Sequence, residues 1–157
     1  MNGGPTGPAL LDVNVLIALL DPLHIHHGLA HSWFSAHGRK PFATCPITLN
    51  GCVRVLSHPR YPSFTATPID VAQRLQEDLC ARPNHEFWPD DVVPFDPALF
   101  LAKHIGRPAI ITDVYLLALA VRHSGHLVTF DRSIPWLAIL GATRAHVRVL
   151  SSGGSAR

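Results

Sequence analysis

Three aspartates in this chain stand where folds commonly deliver functional groups. Leu10-Leu11-Asp12-Val13-Asn14 ends one apolar run in a carboxylate. Leu127-Val128-Thr129-Phe130-Asp131 ends another, and Ile110-Ile111-Thr112-Asp113 opens a long apolar segment. A single such aspartate is weak information, because Asp also starts turns and caps helices. Three of them suggest a hard-cation site. Carboxylates crowded together repel one another and raise each other's pKa values unless a cation intervenes. Mg2+, with Mn2+ as the alternative, prefers oxygen ligands and is commonly bound by one or two carboxylates while keeping several waters. An ion held there can orient water against a phosphodiester and neutralise the charge that develops on phosphorus. Asn14, with its amide, is a candidate for positioning substrate or water.

The elements that position these residues follow from periodicity and from start and stop signals. Residues 9–13 read as a strand. Residues 14–20 read as a short helix capped by Asn14 and stopped by Asp21-Pro22. Helices are expected over 26–37, with Gly38 as the stop, over 46–56 and over 70–79. Asp96-Pro97 predicts a helix over 96–104, and Thr112 is the expected cap of a buried helix with Asp113 in its first turn. Further strands are expected at 42–45, 86–88, 127–130 and 146–150. Strands alternating with helices imply an α/β fold with a mainly parallel sheet between helices. The right-handed crossover rule then brings Asp12 and Asp131 to one sheet edge, where Asp113 joins them. The expected organisation is a flexible lead at 1–8, one domain over 9–150 and a disordered tail at 151–157.

Composition bounds the problem without deciding it. The 157 residues are 47% hydrophobic and only 15% charged, enough for one sizeable core. A formal net charge of +2 is far from the basic balance that by itself marks a nucleic-acid binder. Cys45, Cys52 and Cys80 are odd in number and have no CxxC spacing, which favours free thiols over a disulfide framework. The N-terminus has no basic n-region and the apolar segments are too short to span a membrane, so a cytoplasmic protein is expected.

The segments LLDVNVLIALLDPLHIHH, CPITLNGCVRVLSHPRY and ITDVYLLALAVRHSGHLVTFD, with the spacing between them, resemble the PIN-domain ribonucleases. Within that family the resemblance is to the VapC toxins of bacterial toxin–antitoxin pairs, and it covers residues 9 to 140. It implies a PIN-like three-layer α/β/α sandwich, magnesium-dependent endoribonuclease activity on an RNA substrate, and inhibition by a VapB-type antitoxin. On the family pattern Asp12 matches the first acidic residue, Asp113 the third and Asp131 the fourth. The position of the second acid falls at Leu49, which can neither ligate a metal nor accept a proton. A catalytically weakened PIN module that binds RNA or a partner is therefore the alternative. A phosphatase using Asp12 as nucleophile is disfavoured, because Asn14 stands where such enzymes carry a second aspartate.

Other groups have plainer readings. His24, His26, His27 and His31 form a helix-edge cluster lacking the glutamate of a zinc-protease motif. Asp96 is a cap, and Asp90 and Asp91 belong to a solvated loop. Arg54, Arg60, Arg107, Arg122 and Arg132 are scattered candidates for phosphate contact. Trp33, Phe34, Trp88 and Trp136 are more aromatic surface than one small domain readily encloses. They suggest an exposed apolar patch, and the family resemblance implies a homodimer with a groove for an antitoxin segment.

Overall fold

A computed structural model describes residues 7–63 and 65–153. The expectations of a flexible lead and a disordered tail fall at 1–6 and 154–157 outside the described residues. Pro8 is already tied in, its carbonyl accepting from the His126 amide at 3.0 Å. No helix among the described residues is long and apolar enough to cross a membrane.

Five parallel strands form one sheet in the order β3-β2-β1-β4-β5. They are β1 (Ala9–Leu11), β2 (Phe42–Thr44), β3 (His85–Phe87), β4 (His126–Thr129) and β5 (Val147–Val149). Central β1 pairs with β2 through Ala9 and Phe42, and with β4 through Leu11 and Val128. All three β1 residues are buried. This is the continuous apolar signature of a strand covered on both faces. Side chains alternate across a sheet. Leu10 and Leu127 accordingly join the core against α5 (Ile111–Arg122), and Ala9, Leu11 and Val128 join the core on the opposite face. That second core is closed by α1 (Val13–Leu20), α2 (His27–His37), α3 (Pro46–Leu56) and α4 (Pro68–Leu75). The result is the expected three-layer sandwich.

Several local expectations are corrected. Asp12, not Asn14, caps α1, because its Oδ1 accepts from the Val13 amide at 2.7 Å. Asn14 lies inside the helix and is exposed. Thr112 is likewise inside α5, whose cap position is Ile110. Helix α4 starts at Pro68 because Thr67 and Asp70 form a capping box, and its last turn widens into a π turn at Gln76–Cys80. The helix expected over 96–104 is absent apart from a 3-10 turn at Ala102–His104. Asp96 does start a turn, with the Ala98 amide on its Oδ1 at 2.9 Å. The backbone then turns outward to a neighbouring segment. The Leu101 amide donates to Ala138, the Leu140 amide donates to Leu99, and Phe100 bridges Ile139. Those exchanges take groups that a helix needs for its own ladder.

Cys45, Cys52 and Cys80 are free thiols, as expected. Trp88 is buried, stacked on His123 at 4.4 Å, and so drops out of the expected surface patch. Exposed large apolar side chains include Ile25 (87%) and Leu23 (76%) in the α1–α2 connection, and Leu137 and Leu140 beyond β4.

Candidate active site

The C-terminal ends of β1 and β4 lie side by side, and Thr129 joins them. Its fully buried hydroxyl donates to Asp12 Oδ2 at 2.8 Å and accepts from the Asp131 amide at 3.1 Å. Asp12 is therefore fixed through both oxygens, one on Thr129 and one on Val13, and is only 5% exposed. Burial raises its pKa against the pull of those two hydrogen bonds, and the Asp131 charge adds to the rise. Asp131 is held differently. Its Oδ1 accepts from both the amide and the hydroxyl of Ser133 at 2.7 Å. Those bonds, with the Arg107 charge, keep its pKa below the usual value.

Asp113 projects from the first turn of α5 and is partly buried. Among the described residues it has neither a hydrogen-bond donor nor a cationic partner. Burial, then the charges of Asp12 and Asp131, push its pKa up to about 6. The three predicted aspartates thus lie within electrostatic reach of one another. Among the described residues, though, no group of three or more His, Cys, Asp or Glu side chains is placed to hold a metal ion as a ready cage. The donor chemistry still fits a hard cation: oxygen ligands, partial burial and three carboxylates with only the Arg107 charge acting on one of them among the described residues. Mg2+ suits such an open arrangement, since it usually keeps several waters.

A family model for the PIN domain matches residues 9–139. Ribonuclease VapC44 of Mycobacterium tuberculosis is 47% identical over 146 residues, covering 90% of this chain and 99% of that protein. The chain belongs to the PIN-domain family, in its VapC branch. Ribonuclease VapC39 of the same organism is 42% identical over 132 residues, covering 80% of this chain and 90% of its own length. Ribonuclease VapC38 is 42% identical over 131 residues, covering 83% and 89%.

Thr129 is the residue of the candidate site that sequence reasoning missed, bonded to both Asp12 and Asp131. The available signal was one hydroxyl inside the apolar run Leu127-Val128-Thr129-Phe130, where a buried polar group must find a partner. Leu49 sits on α3, partly buried against the core that also holds Val13. The α3 backbone comes close to the start of α1 at Gly51, where a Cβ would lie 2.8 Å from Val13 Cγ2. The helix that carries Leu49 is therefore packed against the residue following Asp12.

The histidines separate into two pairs. His27 and His31 donate ring N–H groups to the Ala18 and Leu19 carbonyls at 2.7 and 3.0 Å, closing the end of α1. His24 and His26 stack on Phe130, the residue before Asp131, with centroids 6.4 and 4.5 Å away. Of the five candidate arginines, Arg107 stands nearest in effect to the PIN-domain carboxylates, through its charge on Asp131. Arg122 pairs with Asp91 at 3.2 Å, and Arg54 and Arg60 line a separate hollow with His58 and Tyr61.

Proposed function

We propose that this protein is a divalent-metal-dependent endoribonuclease, the toxin of a toxin–antitoxin pair, with Mg2+ or Mn2+ held by Asp12, Asp113 and Asp131. The observation that carries the proposal is Asp113, a partly buried carboxylate in electrostatic reach of two others and, among the described residues, without a donor or cation. The relatives named ribonuclease support RNA as the substrate. When bound, the ion lowers the pKa of a coordinated water and offsets charge developing on phosphorus. The protein's own groups divide the remaining work. Val13 and Thr129 lock the orientation of Asp12, and Ser133 locks that of Asp131. Asp113 keeps free lone pairs for water or ion. The exposed Asn14 amide, in the first turn of α1, holds a phosphate oxygen or a water. A VapB-type antitoxin, a homodimer and a cytoplasmic setting complete the proposal, the first two supported by the exposed Leu23, Ile25, Leu137 and Leu140.

Leu49 favours a second reading, a PIN module that binds RNA and cuts it weakly, since the second acid of the family pattern is absent. Cleavage mapping on total cellular RNA decides between them. Discrete cuts with Mg2+ that vanish with chelator and fall at least 100-fold in Asp113→Asn are expected of the nuclease. Binding without cuts at any Mg2+ or Mn2+ concentration overturns it in favour of the binding module.

A further inference from the structure

A cavity of about 350 Å³ opens beside the first turn of α5. Phe95, Phe100, Ile111 and Tyr115 line it, and Asp90 and Thr112 add polar atoms to its wall. Ile111 and Thr112 immediately precede Asp113, so the cavity and the carboxylate site share one helical turn. The segment before Phe95 is firmly braced. Tyr115 donates its hydroxyl to the Val92 carbonyl at 3.0 Å, and Asp91 bonds Arg122 at 3.2 Å and His123 at 3.0 Å.

This braced loop ends in an aromatic residue held under strain. Phe95 has φ +61°, a left-handed backbone that a bulky side chain rarely adopts, and the residue is 53% exposed. Among the described residues its ring contact is with Phe100, at 5.9 Å between centroids. Strain kept on an exposed ring, with little burial to offset it, is characteristic of a group positioned for a ligand. The adjoining hollow is lined by Phe95, Ile111 and Arg107. Arg107 reaches the Ser133 hydroxyl at 3.4 Å, and Ser133 is the residue that fixes Asp131. A path of contacts therefore leads from the aromatic cavity, past a cation, to the carboxylates.

A ligand matching this path is flat and aromatic, has a polar edge, and is joined to an anion. The cavity is at the low end of the about 300–1,000 Å³ usual for small-ligand sites, which suits a single ring system. We propose that the Phe95 cavity receives one unpaired nucleobase of the RNA strand whose phosphodiester lies at the three aspartates, with Arg107 on an intervening phosphate. The proposal rests on the ribonuclease reading and adds a place where sequence preference is set. Unstacked bases are commonly bound on exposed aromatic rings, with hydrogen bonds to their edges.

The test uses a short oligouridine carrying one 2-aminopurine, with Ca2+ in place of Mg2+ to keep the strand whole. The parent should quench the 2-aminopurine at one position along the strand. Phe95→Gly suits the left-handed backbone, so it should melt no lower than the parent while losing the quench and binding roughly ten-fold or more weakly. Phe95→Trp should regain both. If Phe95→Gly keeps either the quench or the affinity while the parent cuts RNA with Mg2+, the base cavity is overturned and the nuclease stands. The cavity then becomes a site for a protein side chain. If the parent neither binds the strand nor cuts RNA, both proposals fall together.

Discussion

Asp113 is the residue whose environment differs most from that of an ordinary surface carboxylate. Its pKa of about 6 lies above the ordinary 3.8, so the folded state takes up a proton that the unfolded chain gives up. Stability contributed in this way is complete below the unfolded value and is lost as pH rises through the folded one. In metal-free buffer the parent should therefore weaken between pH 4 and 6. Asp113→Asn removes the ionisation and should be more stable than the parent at pH 7 by about 1–2 kcal/mol, after allowance for solvent screening. That is a rise of a few degrees in Tm. The two melting temperatures should converge below about pH 4, near the ordinary pKa of an aspartate. Thermal melts across this range check it, and an advantage for Asn that persists at low pH would show that charge is not the cause. Thr129 acts in the same place by a different means, since its single hydroxyl orients Asp12 and accepts from the Asp131 backbone at once.

At the scale of elements, α3 decides how many carboxylates the site can gather. Its apposition to α1 at Gly51 and Val13 brings Leu49 into the same packed layer as the residue after Asp12. Leu49→Glu should lower apo stability by about 1 kcal/mol or more, through burial and through repulsion from the aspartates. With Mg2+ or Mn2+ the added oxygen ligand should tighten binding, so that metal raises Tm more than in the parent. Leu49→Gln is the comparison, because it adds polarity without charge. Calorimetry showing equal metal affinity for Glu and Gln would place position 49 away from the ion. Much of the element pattern was legible in the chain. The all-apolar β1, the Gly38 stop of α2 and Pro46 opening α3 are local signals, and they fall where the structure has them. The segment 96–104 was not legible. Its cap signal is real and local, yet its hydrogen-bond partners at 138 and 140 lie far along the chain from Leu101 and Leu99.

For the whole molecule, the open question is what covers its exposed apolar side chains. Leu23 and Ile25 stand in one connection, and Leu137 and Leu140 in another, all more exposed than side chains of their type usually are. One small fold has already filled a core on each face of its sheet and has no layer left to bury them. A homodimer at micromolar concentration is the expected state by light scattering. A serine at Leu23 together with one at Ile25, or at Leu137 together with one at Leu140, should shift it toward monomer. A parent that is already monomeric at that concentration would leave these side chains to the antitoxin or to solvent.

By itself the sequence determined the layers and the edge at which function gathers. Apolar runs ending in Asp12 and Asp131 require buried parallel strands, and buried parallel strands bring their C-terminal ends to one side. Type and spacing carry that information because strand periodicity and crossover handedness are local rules. The tertiary structure alone decided the state of each carboxylate. Asp12 is clamped by a threonine 117 positions away, Asp131 is kept ionised by hydrogen bonds from Ser133 and by the Arg107 charge, and among the described residues Asp113 has neither a donor nor a cation. Burial, hydrogen bonding and neighbouring charge set a pKa together; the Val13 and Ser133 bonds are local, but burial, the Thr129 bond and the Arg107 charge depend on which distant residues the fold places nearby.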